Sequence, residues 1–141
     1  MEKYSETKIT VRYCETDKMG IVHHSRYYPW FEVSRDDFIK RFGIGYGDIE
    51  KNGLLMPLIE TGAKYFKPAH YGDTVTVRCA IKKISASRCF FEYEVLSENG
   101  DTLCTGITVH AFCNADMKPV NVIKKFPDIY KILAGEAECC I

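Results

Sequence analysis

Apolar positions recur along this chain in two rhythms, and the change from one to the other marks its main division. Ile9, Val11 and Tyr13 alternate with Thr10 and Arg12, which predicts a half-buried strand over residues 8–13. Further on, Tyr27, Tyr28, Phe31, Arg35, Phe38, Ile39 and Phe42 recur at helical spacing. Arg26, Glu32, Asp36, Lys40 and Arg41 mostly fall on the other side. Pro29 is tolerated in a first turn and breaks deeper positions, so the helix begins near Ser25, with Ser25 or His24 as its N-cap. Gly43 is the natural stop. The span is about seventeen residues, roughly 25 Å at the helical rise.

After a connector at residues 43–53, rich in glycine and long enough for a turn or two of helix, strand patterning returns. Strands are predicted over residues 54–66, 73–84, 88–97 and 102–113, with no helix between them. Glu98-Asn99-Gly100-Asp101 is a hairpin signal, and Ser85-Ala86-Ser87 makes a tighter connection. Val75, Val77, Cys79 and Ile81 share one face, as do Val109, Ala111 and Cys113. Pro127 and Asp128 open a short terminal helix over about 127–134. Strand, long helix, then an antiparallel meander is an α+β order, in which one helix covers the sheet's apolar face. The expectation is a single domain over residues 1–141 with its core at about 8–113.

Composition narrows the function classes. The 141 residues carry a formal net charge of zero, so no global field draws the chain to nucleic acid or to an anionic membrane. No apolar run reaches spanning length and the N-terminus lacks a signal-peptide core, which predicts a cytoplasmic protein without membrane insertion. The seven cysteines are odd in number and lack a C-x-x-C pair. Cys79, Cys89, Cys104 and Cys113 sit in strand-like runs where a reduced thiol packs as a small hydrophobe. Cys139-Cys140-Ile141 lacks prenylation spacing and reads as a frayed tail.

Candidate chemistry gathers just before the long helix. Glu15, Thr16 and Asp17 form an acidic turn, Gly20 allows a chain reversal, and His23 and His24 precede the helix start. A carboxylate beside free helix N–H groups can act as base or nucleophile with an oxyanion hole for acyl transfer. Against that stands the plainer role of capping backbone N–H groups and facing solvent. The paired histidines lack the spacing of a metal motif, so no metal is expected. There is no G-x-S-x-G elbow and no Walker loop. Lys82, Lys83 and Arg88, with Ser85 and Ser87 between, form a modest basic and hydroxyl cluster that reads as a solvated hairpin end or a phosphate contact.

The run Y-C-E-T-D-K-M-G-I-V-H-H-S-R-Y from Tyr13, followed by Y-F-K-P-A-H-Y-G-D from Tyr65, resembles the 4-hydroxybenzoyl-CoA thioesterase family of hotdog-fold acyl-CoA thioesterases over about residues 9–112. The resemblance implies a hotdog fold, an antiparallel sheet wrapped around one long central helix. It implies hydrolysis of an acyl-CoA thioester to free acid and coenzyme A, with Asp17 as nucleophile or general base. The N–H of His24 would polarise the carbonyl, and its ring would help position carboxylate or water. Gly20, Val22, His23 and Tyr27 would line the substrate site, and Tyr13 would be structural or pocket-lining. Lys82, Lys83, Ser87 and Arg88 would hold coenzyme A phosphates across the interface of a homo-oligomer, dimer or tetramer. Coenzyme A is part of the substrate, so no separate cofactor is implied. The other hotdog subclass, with a glutamate on the long helix, has only Glu32 to offer, and Glu60 has no assigned role. The alternative is a non-catalytic hotdog module that binds acyl-CoA, acyl-carrier protein or a partner protein.

Overall fold

The first strand lies earlier than the alternation places it. In the computed structural model, which describes residues 3–140, β1 runs Tyr4–Thr10 and pairs antiparallel with β3 (Thr74–Ile84), Ile9 facing Val75. Met1, Glu2 and Ile141, which the readings of the N-terminus and tail include, lie outside the described residues. Beyond Thr10 only Val11 stays in register, donating its N–H to the Asp73 carbonyl at 2.8 Å. Tyr13–Glu15 then winds into a short 3-10 turn because the Glu15 carboxylate accepts the Arg12 N–H at 2.8 Å. Tyr13 is therefore a turn residue, 76% exposed, with its ring edge-on to Tyr71.

The long helix α1 spans Tyr27–Lys40, 14 residues, and is entered through a 3-10 turn, His24–Arg26. The cap of that entry is His23, not Ser25 or His24. Its Nδ1 accepts the Ser25 N–H at 3.3 Å and lies 2.8 Å from the Ser25 hydroxyl. Pro29 falls in the first turn of α1, where its missing N–H costs nothing. Past Arg41 the chain turns at Gly43, whose φ of +74° suits glycine. The buried face holds Tyr27, Trp30, Phe31, Ser34, Phe38 and Ile39. Trp30 and Ser34 were not on the apolar stripe; Ser34 is tolerated because its hydroxyl donates to the Val77 carbonyl at 3.2 Å.

The glycine-rich connector contains α2 (Tyr46–Lys51). The sheet then builds from β2 (Leu58–Tyr65), β3, β4 (Arg88–Leu96) and β5 (Thr102–Ala111), in the antiparallel order β1-β3-β4-β5-β2. β2 starts later than predicted because Pro57 cannot donate to a ladder; Leu55 makes only an isolated bridge to Cys113. Val75, Val77, Cys79 and Ile81 of β3 are all buried, as their alternation predicts. Cys79, Cys89, Cys104 and Cys113 are buried and free. Two elements were not foreseen: a short α3 (Val122–Lys125), and β6 (Cys139–Cys140), which pairs parallel with the end of β3 where a frayed tail was expected. Between them lies the predicted terminal helix, α4 (Pro127–Glu136).

Two features lock α1 to the sheet. Phe31 stacks on Tyr93 of β4 with centroids 4.5 Å apart, and its ring edge lies over Gly106 of β5. Beside it runs a buried polar chain. Arg35 donates to the Tyr93 hydroxyl at 3.1 Å, which lies 2.7 Å from the Thr108 hydroxyl. That hydroxyl is 3.0 Å from His110 Nε2, and His110 Nδ1 is 2.9 Å from the Met56 carbonyl. The carbonyl can only accept, so Nδ1 carries the proton and Nε2 accepts from Thr108. Burial pushes His110 down to about 4, and it is neutral at pH 7.

Candidate active site

Residues 16–23 fold back as a small loop between β1 and α1. Thr16 bridges Val22, the Asp17 N–H donates to the Ile21 carbonyl at 2.9 Å, and the Gly20 N–H donates to the Asp17 carbonyl at 3.0 Å. Gly20 sits at φ +78°, which the reversal requires. Asp17 Oδ1 accepts the Met19 N–H at 2.8 Å, which orients the carboxylate on the loop. The turn after β2 packs alongside, since Ile21 bridges His70 and the Val22 N–H donates to the Ala69 carbonyl at 2.9 Å.

Between loop, helix mouth and that turn lies a cleft of about 380 Å³, lined by Asp17, Met19, Ile21, Val22, His24, Tyr27, Tyr65, Phe66, Lys67 and Pro68. Asp17 is the one carboxylate among these residues. His24 is the first residue of the 3-10 turn, so its N–H is a donor that no helical carbonyl can reach. The Tyr65 hydroxyl donates to the His24 carbonyl at 3.0 Å, which ties the helix mouth to the end of β2. Tyr27 packs edge-on against Tyr65 (5.3 Å) within the lining, and against the buried Trp30 (4.9 Å) behind it. Burial pushes the Tyr27 and Tyr65 phenols up to about 12. Both stay protonated at neutral pH and neither is a base there.

Of the residues predicted for the site, the fold brings Asp17, Val22, His24 and Tyr27 to one cleft. Gly20 and His23 do not line it. Gly20 makes the loop's reversal, and the His23 ring is committed to Ser25. Lys82, Lys83, Ser87 and Arg88 are not brought to it either. They sit at the far end of β3 and in the next hairpin, some nine strand residues beyond Thr74, or about 30 Å. There the Lys83 ammonium lies 4.3 Å from the Phe90 ring centroid, and the Ser87 carbonyl accepts the Phe112 N–H at 3.1 Å. Glu32 is on the exposed side of α1, beside Pro29 and Asp36, and Glu60 is exposed at a bulge of β2.

Tyr65, Phe66, Lys67 and Pro68 were missed as lining residues, although their motif was part of the resemblance. Their arrival depends on β2 pairing with β5, a long-range contact. Aromatic residues ending a strand before a proline turn were the available signal. Glu15 is not a solvent-facing turn residue but is 3% exposed. Its Oε2 accepts the Trp30 indole N–H at 2.8 Å, and these hydrogen bonds hold its carboxyl below the usual range against the opposing pull of burial. Burial raises the Cys79 and Cys89 thiols and pushes Cys104 up to about 12, so these cysteines are packing groups. Among the described residues no group of three or more His, Cys, Asp or Glu side chains could hold a metal ion, and no helix is long and apolar enough to cross a membrane.

Residues 11–131 match the family described as the Thioesterase-like superfamily. The chain is 37% identical to the Bacillus subtilis protein named "Putative acyl-CoA thioesterase YneP", over 88% of this chain and 91% of that one. It is 38% identical to a DHNA-CoA thioesterase from Staphylococcus aureus of known structure, with a TM-score of 0.86 over 91% of this chain and 87% of that chain. A 1,4-dihydroxy-2-naphthoyl-CoA hydrolase of Prochlorococcus marinus is 26% identical over 76% of this chain and 74% of its own length.

Proposed function

The chain belongs to the thioesterase-like superfamily and is a thioester hydrolase of the hotdog fold, and we propose that Asp17 drives its reaction on an acyl-CoA. The observation that carries this reading is the cleft itself, lined both by Asp17, its one carboxylate, and by His24, the first residue of the helix mouth. In the general-base form, Asp17 takes a proton from water as the water oxygen bonds to the thioester carbon. The resulting oxyanion accepts the His24 N–H, helped by the helix dipole. Collapse breaks the C–S bond, and the coenzyme A thiolate leaves and takes up a proton. In the nucleophilic form the carboxylate oxygen itself attacks, and water then cleaves the acyl-aspartyl anhydride. A single turnover in H₂¹⁸O that releases unlabelled acid and leaves ¹⁸O on Asp17 establishes the nucleophilic form with water attacking the aspartyl carbon, since general-base attack always places ¹⁸O in the acid. On either route this is the aspartate chemistry of the 4-hydroxybenzoyl-CoA type.

The Tyr27, Tyr65 and Phe66 rings in the cleft's lining suit a planar acyl group, and relatives are named for DHNA-CoA and for 1,4-dihydroxy-2-naphthoyl-CoA. We therefore take an aromatic acyl-CoA as the preferred substrate, in a cytosolic enzyme. Support for an assembly comes from β2. It is an edge strand of 8 residues in which Leu58 and Ile59 are 53% and 47% exposed, and it ends at the cleft. An uncovered apolar edge is a pairing site, so this reading makes the protein at least a dimer joined there. Lys82, Lys83, Ser87 and Arg88 would then hold the phosphates of coenzyme A bound in a second protomer's cleft. The test is thiol release from acetyl-, hexanoyl-, palmitoyl-, benzoyl- and 1,4-dihydroxy-2-naphthoyl-CoA. Turnover highest on the aromatic thioesters supports the reading; ligand binding with no turnover of any thioester makes the protein a binding module instead.

A further inference from the structure

We propose that Glu15 is a positioning residue for the reaction, setting the Asp17 loop against the helix mouth through its bond to Trp30. This rests on the Asp17 reading. Asp17 and His24 stand near opposite ends of one loop, so their relative placement is only as fixed as the loop's two ends. Glu15 reaches both ends and the helix. Its Oε1 accepts the Arg12 N–H at 2.8 Å where the chain leaves β1, and its own carbonyl accepts the His23 N–H at 2.9 Å where the chain enters the helix. Its Oε2 accepts the Trp30 indole N–H at 2.8 Å, anchoring the loop to a residue of α1 that is itself 3% exposed.

Among the described residues, the polar partners of this side chain are all donors: a backbone N–H, an indole N–H and the Arg12 guanidinium at 3.5 Å. Such a set fits an ionised carboxylate and no neutral group of the same shape. A glutamine has one acceptor oxygen and an NH₂, so one donor would meet another donor whichever way the amide turns. A carboxylate buried to this extent is unfavourable unless its oxygens are paired, so the donors hold its geometry tightly. Apart from Glu15, the hydrogen bonds of residues 16–23 run to Tyr13, within the loop, to Ala69, and to Ser25 and Arg26 at the helix mouth. None of those reaches α1.

The test compares Glu15→Gln, Trp30→Phe and the double variant with wild type, using 1,4-dihydroxy-2-naphthoyl-CoA well below each variant's Tm. Displacements of about 1 Å in a reacting constellation cost on the order of a hundredfold. Each single variant is therefore expected to lose about tenfold to a hundredfold in kcat, with KM changed by less than about twofold. Both break the same bond, so the double variant is expected to be no slower than the worse single one. A lower Tm with unchanged kcat in Glu15→Gln, or losses that multiply in the double variant, overturns the proposal and leaves Glu15 structural. Should Glu15→Gln fail to fold, Trp30→Phe decides alone, and wild-type kcat there overturns it. No turnover by the wild-type chain on any thioester defeats the Asp17 reading and this one together. Wild-type turnover with an indifferent Glu15 defeats only this one.

Discussion

Replacing Gly106 with alanine asks whether the helix and sheet are as closely packed as the structure requires. A Cβ at this position of β5 would lie 2.4 Å from Cε2 and 2.5 Å from Cζ of Phe31, and 3.3 Å from the Gly62 carbonyl oxygen. The Phe31 ring would have to retreat by about 1 Å to reach ordinary contact. It has little room, being 1% exposed and stacked at 4.5 Å on Tyr93, whose hydroxyl belongs to the buried polar chain. Overpacking of this kind costs about 1–3 kcal/mol. At ~2.1 cal/mol/K per residue, 141 residues unfold with an entropy of ~300 cal/mol/K, so 2 kcal/mol lowers Tm by about 7 °C. The assay is thermal unfolding followed by circular dichroism at one fixed protomer concentration, because association shifts Tm. Gly62→Ala on neighbouring β2 is the control, since its Cβ would meet only Ile107 Cγ1, at 4.0 Å. That variant is expected within about 0.5 kcal/mol of wild type. Equal Tm values for Gly106→Ala and wild type would refute the reasoning.

Three further outcomes follow from the same structure. His110 is held down to about 4 in the fold, so the unfolded chain binds its proton first as pH falls. Stability should be lost from about pH 6.5 downward, reaching on the order of 3 kcal/mol near pH 4; the drop in Tm across this range should be smaller in His110→Gln, and equal slopes would contradict it. Glu15, held below its usual range, adds a loss only at lower pH, as its carboxylate is protonated. Ile59→Lys places a charge on the exposed edge of β2 and is expected to convert the assembly to monomer by light scattering, with wild-type association contradicting pairing there. Alanine at Lys82, Lys83 and Arg88 together should raise KM for acyl-CoA with kcat unchanged, as loss of uniform binding does; an unchanged KM removes these residues from the coenzyme A site.

Much of the fold was legible because its signals are local. The period of α1, the proline in its first turn and the hairpin at residues 98–101 each act over a few residues, and each appears where the pattern put it. That Asp17 stands beside the helix mouth was legible for the same reason, its loop lying directly ahead of a helix. What escaped was made by distance in sequence. Trp30 reads as a helix residue off the stripe, and only the fold shows that it answers the carboxylate of Glu15. Tyr65 reaches the His24 carbonyl from another strand, and no periodicity reports that. The Arg35–Tyr93–Thr108–His110 chain draws on α1, β4 and β5, and no local pattern joins its members. Gly106 was available in principle: a glycine inside a strand points to a close approach, here that of Phe31. The basic cluster at 82–88 was legible as a cluster, but its distance from the cleft of its own chain was not, because the length of β3 sets it.

The most direct measurement of the central claim is thiol release by Asp17→Asn, set beside its Tm and its affinity for coenzyme A. Asp17 is only partly buried, and the amide can still accept the Met19 N–H, so fold and ligand binding should persist. Turnover is expected to fall by at least a thousandfold, because an amide neither attacks a thioester nor takes a proton from water. A folded Asp17→Asn variant that binds coenzyme A and hydrolyses acyl-CoA at the wild-type rate would contradict the account.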